Sequence, residues 1–152
     1  MQIRRRQFIK NLVTASVSIA LFTFSKISFG KWLLADFKHR SIEKTLQELF
    51  PDKVIKKSRK IKLKLPKTAE NGNVVPITIT STIDNIESVY ILSEKNPVPL
   101  VAKFTLDHSL EPYIGARFKM QETCDVIVIV KAGEEYFQAR QKVKVTIGGC
   151  GG

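Results

Sequence analysis

Between Lys60 and Leu65 the chain alternates strictly, with Lys60, Lys62 and Lys64 set against Ile61, Leu63 and Leu65. Period-two alternation of this kind predicts a half-buried strand with a cationic outer face. A second alternation runs from Val74 to Thr80, with Val75, Ile77 and Ile79 on one face, and Pro76 directs that strand to an edge or a bulge. Further strand-like runs are Ile86–Leu92, Pro99–Leu106, Ala116–Met120, Val126–Val130, Tyr136–Ala139 and Val143–Ile147. Val126–Val130 is the most apolar of them and is expected at the centre of a sheet. Asn71-Gly72, Asn96-Pro97, Glu111-Pro112 and Ala132-Gly133 supply turn signals between the runs. Only Ser41–Phe50 departs from this rhythm. There Ile42, Leu46 and Leu49 fall near the helical period, Ser41 is a candidate N-cap and Pro51 a stop. One helix followed by short, evenly punctuated strands predicts an immunoglobulin-like antiparallel β-sandwich over residues 31–147.

The first 30 residues belong to a different pattern. Arg4-Arg5-Arg6-Gln7-Phe8-Ile9-Lys10 matches the twin-arginine export motif, with Arg5 and Arg6 as its diagnostic pair. Leu12–Phe24 follows as an uncharged apolar stretch, shorter than the ~18–20 residues of a spanning helix, so a signal peptide is preferred to a membrane anchor. Ser28 and Gly30 offer small residues for cleavage before Lys31. The expected location is therefore the periplasm.

Export changes the meaning of the charge. The whole chain carries a net +11, which first suggests nucleic acid. Residues 1–30 hold five basic residues, Arg4, Arg5, Arg6, Lys10 and Lys26, and no acid. The remainder has 20 basic against 14 acidic residues, a net +6. An exported protein does not ordinarily meet nucleic acid, so this surplus points to small anions or acidic partner surfaces. Its densest part, Lys53–Lys67, reads first as a solvated strand edge.

The last five residues are Gly148-Gly149-Cys150-Gly151-Gly152. Four glycines around one cysteine leave nothing to pack and maximal backbone freedom, which predicts a flexible arm. At ~3.3–3.6 Å per extended residue the thiol reaches on the order of 10 Å past the last strand. Such an arm suits a group bound covalently to Cys150 and presented to narrow active sites. A structural disulfide with Cys124, the other cysteine, is the competing reading. Metal binding is not expected, since His39 and His108 are scattered and form no ligand spacing with the cysteines. Nor is a catalytic role, because a nucleophilic cysteine needs a base held beside it. A thiocarboxylate on Gly152 would require cytoplasmic activation and a β-grasp fold, and a thiol oxidoreductase would be expected to show Cys-x-x-Cys, which is absent.

The terminal Gly-Gly-Cys-Gly-Gly resembles the signature of the SoxY family, the sulfur-carrying subunits of the thiosulfate-oxidising Sox system. Glu70-Asn71-Gly72-Asn73-Val74-Val75-Pro76 and Lys95-Asn96-Pro97-Val98-Pro99 are similar to two internal segments of that family. The resemblance implies a non-catalytic carrier without a resident cofactor, bearing sulfur or thiosulfonate cargo on Cys150. It implies a heterodimer with SoxZ and transient encounters with SoxAX, SoxB and a sulfane dehydrogenase. The alternative is an exported structural sandwich with its tail bridged to Cys124.

Overall fold

The computed structural model describes residues 41–107 and 109–147. Among the described residues one helix, α1 (Ile42–Leu49), precedes nine strands: β1 (Ile55–Lys57), β2 (Ile61–Lys64), β3 (Thr68–Asn71), β4 (Val75–Ser81), β5 (Ile86–Ser93), β6 (Leu100–Thr105), β7 (Tyr113–Phe118), β8 (Cys124–Ala132) and β9 (Glu135–Ile147). The larger sheet has the order β1-β9-β8-β5-β6, with β3 also paired to β9. The smaller one is β2-β4-β7. Their facing sides bury Val75, Ile77, Ile79, Val89, Ile91, Val126, Val128 and Val130 in one core. The expected β-sandwich with one helix ahead of it is the fold observed.

Helix α1 covers the outer face of the larger sheet. Ser41 caps it, its hydroxyl accepting from Lys44 N, and the buried Ile42 and Phe50 pack with Tyr90, Leu92, Ile127 and Ile129 in a second cluster. Phe50 meets the Tyr90 ring edge-on at 5.0 Å and the Tyr136 ring at 5.3 Å. Strand β8 therefore sends Val126, Val128 and Val130 into the sandwich and Ile127 and Ile129 under the helix. Burial on both faces explains why this run is continuously apolar, and β8 is central as expected.

Several features differ from the expected pattern. Tyr136–Ala139 and Val143–Ile147 are parts of one 13-residue strand, β9, because Arg140-Gln141-Lys142 continues the ladder to β8. Two short strands carry no alternation and are added: β1 and β3 both lie parallel to β9, one beside each half of it. The larger sheet is thus mixed at this side rather than wholly antiparallel. Strand β7 begins at Tyr113, three residues before the expected Ala116. Pro76 lies in β4, the middle strand of the smaller sheet. Strand β2 reaches only Thr78, so β4 has the single neighbour β7 at Pro76, and an imino nitrogen is tolerated there.

Candidate functional site

Cys150, the flanking Gly148, Gly149, Gly151 and Gly152, and the export pair Arg5 and Arg6 lie outside the described residues, as do His39 and His108. What is described is the end of the sandwich from which residues 148–152 depart. Near its end strand β9 is held on one edge as far as Val145 and on the other as far as Ile147. On one side it pairs with β8 as far as Val143 opposite Cys124. Beyond that point Val145 N donates to Thr123 Oγ1 at 2.9 Å, so a side chain takes over where the ladder stops. On the other side β3 pairs Thr68 with Lys144 and Asn71 with Ile147. The Thr146 hydroxyl donates to the Glu70 carbonyl at 2.9 Å.

Gly72 joins three segments at this end. Its N–H donates to the Ile147 carbonyl at 2.8 Å, and its own carbonyl accepts from Met120 N at 2.7 Å. The turn that carries it is closed by Asn71, whose Oδ1 accepts from Asn73 N at 2.8 Å. Met120 is fully buried and anchors the β7–β8 connection from beneath. From above, Asn96 clamps the same connection: its amide donates to the Lys119 carbonyl at 2.7 Å, and its Oδ1 accepts from Gln121 N at 3.0 Å. The Glu70–Pro76 and Lys95–Pro99 segments, singled out in the sequence without a role, therefore meet in one hydrogen-bonded frame around the end of β9. Met120 and Thr123 belong to that frame and were not anticipated. Their signal is weak, since Met120 acts by burial and its backbone N–H, and Thr123 by a hydroxyl that accepts from a backbone N–H. Val74 and Ile147 stand 55% and 63% exposed on its rim.

Cys124 sits just inside this frame and is a free thiol, 3% exposed. Its Sγ lies 3.4 Å from the Ser93 hydroxyl, also buried. A disulfide from Cys124 to any external cysteine would require opening the core between β5, β8 and β9. The tail-bridge reading therefore has no support in the folded domain. Among the described residues no cluster of His, Cys, Asp or Glu could hold a metal ion. Among them, too, no helix is long and apolar enough to cross a membrane.

Residues 46–150 match the family model for the sulfur oxidation protein SoxY. The match runs through the end of β9 and includes Cys150. The chain is also similar to the solved structure of the sulfur carrier protein SoxY from Chlorobium limicola f thiosulfatophilum. The two are 32% identical with a TM-score of 0.64, over 70% of this chain and 97% of that one. No curated protein matches the chain.

Proposed function

The chain belongs to the SoxY family, and we propose that it is a periplasmic carrier that holds sulfur intermediates covalently on Cys150 during thiosulfate oxidation. The observation that carries this reading is the fastening of β9 at Ile147, directly before Gly148-Gly149-Cys150-Gly151-Gly152, while Cys124 is shut in the core. A strand end fixed at Ile147 by Gly72 and at Val145 by Thr123 gives a defined origin for a segment whose thiol can lie only on the order of 10 Å away. The carrier needs no base of its own, because its partners supply the chemistry.

In this reading the Cys150 thiol loses its proton and joins the outer sulfur of thiosulfate as an S-thiosulfonate. Two electrons pass to the haem protein SoxAX. Water then attacks the sulfonate sulfur at SoxB, which releases sulfate and leaves a persulfide on Cys150. A sulfane dehydrogenase, where the host has one, oxidises the remaining sulfur. SoxZ is the stable partner, and the twin-arginine leader with Arg5 and Arg6 supplies the export route. Gly148, Gly149, Gly151 and Gly152 keep the segment narrow enough to enter each active site, since only the cysteine carries a side chain.

Intact-mass measurement after exposure to thiosulfate with the oxidising partner tests the proposal. The wild type should gain a thiosulfonate adduct that reductant removes, and Cys150→Ser should gain none. An unmodified wild type, or an equal adduct on Cys150→Ser, contradicts it.

A further inference from the structure

Strand β9 has a break along its outer edge. β1 leaves it after Lys57 opposite Gln138, and β3 joins it only at Thr68 opposite Lys144. At the first end of this break, between the β1–β2 connection and β9, lies an open groove of about 700 Å³. Lys57 and Arg59 form one wall and Arg140 the other, with the buried Ile61 and half-buried Ala139 giving apolar surface between them. No carboxylate lines it. Lys53, Lys56, Lys95 and Lys131 each face a glutamate, whereas Lys57, Arg59 and Arg140 have no ion pair among the described residues.

The walls are fastened rather than loose. Ser58 N donates to the Gln138 carbonyl at 3.0 Å, and Gln138 Nε2 to the Ile55 carbonyl at 3.4 Å. Gln138 Oε1 accepts from Arg140 Nε at 3.0 Å, which fixes the guanidinium while leaving its outer N–H groups without an acidic partner. A held guanidinium with free outer donors matches the two oxygens of a carboxylate. Three like charges gathered without counter-charge are mutually repulsive, and an acidic occupant relieves that repulsion.

We propose that this groove docks an acidic, extended segment of a partner protein. Arg140 lies seven residues before Ile147 on the same strand, about 23 Å at ~3.3 Å per residue. That is beyond the ~10 Å reach of the Cys150 thiol. A partner held here therefore leaves the terminal segment free to visit an enzyme. The inference concerns a different face from the sulfur-carrying reading and stands or falls apart from it.

The test uses the full chain and a short fluorescein-labelled peptide of alternating Glu and Val, read by fluorescence polarisation at low salt. Arg59→Gln with Arg140→Gln should weaken binding about tenfold or more. Lys62→Gln with Lys64→Gln removes the same charge from the exposed face of β2 and should weaken it less than about twofold. A peptide with Gln in place of Glu should bind at least roughly tenfold more weakly, and sulfate at equal charge concentration should not displace the acidic peptide. All four substituted side chains are exposed, so the fold is not at stake. Equal losses in the two double variants, undiminished binding of the Gln peptide, or full displacement by sulfate would each overturn the proposal.

Discussion

The two ends of the sandwich are built differently. At the end where β9 finishes, bonds join residues far apart in sequence: Gly72 with Ile147 and with Met120, Asn96 with Lys119 and Gln121, and Val145 with Thr123. At the opposite end, the bonds within the Asp107–Tyr113 loop join residues two or three apart, such as Ser109 with Asp107 and Tyr113 with Glu111. Local turns fix the loop's own shape, while the strand ends beside it are tied by Leu106 N to the Glu87 carbonyl and by Lys131 to Glu87. Long-range bonds tie Ile147 to Gly72, Gly72 in turn to Met120, and Val145 to Thr123. The end that precedes residues 148–152 is thus the one whose connecting turns are bonded to one another across the sequence. A covalent carrier gains from this, because the entry of its cargo into a partner is measured from that fixed point.

Substitutions can break this contrast. Met120→Ala removes a fully buried side chain under the frame and should cost about 2–5 kcal/mol by urea denaturation. Leu110→Ala in the opposite loop, where the side chain is largely exposed, should stay within roughly 0.5 kcal/mol. Comparable losses would mean that the two ends are equally fastened. Asn96→Ala deletes a donor and an acceptor that hold residues 119 and 121, and about 1–3 kcal/mol should be lost. Ser109→Ala removes only a hydroxyl bonded to Asp107 two residues away, for which a loss below about 0.5 kcal/mol is expected.

The smallest effect belongs to the far end and to alkaline pH. Lys131 is raised above its ordinary value, chiefly by its hydrogen bond to Glu87, against the opposing effect of desolvation. A raised folded-state value means that the pair's contribution is complete below roughly pH 10.4, the unfolded ammonium's value. It is lost as pH rises through the folded-state value. Glu87→Gln should therefore flatten the decline in stability above that pH. Parallel declines in wild type and variant would remove this pair from the account.

The interior of the fold was legible because it repeats. Val75, Ile77 and Ile79 alternate, and the unbroken Val126–Val130 run matches a strand buried on both faces. Strands β1 and β3 were not legible. Thr68-Ala69-Glu70-Asn71 has one buried apolar residue, Ala69, and owes its conformation to the β9 edge beside it. The polar Arg140-Gln141-Lys142 divided β9 in the sequence, although in the fold it continues the ladder to β8. At the site, glycine chemistry made residues 148–152 stand out, while the frame behind them stayed hidden. Gly72 and Met120 act there through backbone groups that every residue but proline carries. The side-chain pattern cannot announce such bonds. Cys124 could be read as a bridge partner from residue type alone, and its burial against Ser93 counts against that reading.

The central claim is that the cargo resides on Cys150 and that the frame keeps Cys124 out of the chemistry. Peptide-resolved mass mapping of the folded protein, after reaction with thiosulfate and the oxidising partner, tests it most directly. The account predicts a thiosulfonate on the Cys150 peptide and an unmodified thiol on the Cys124 peptide. A sulfur adduct on Cys124, or a disulfide between the two peptides as the main product, would contradict it.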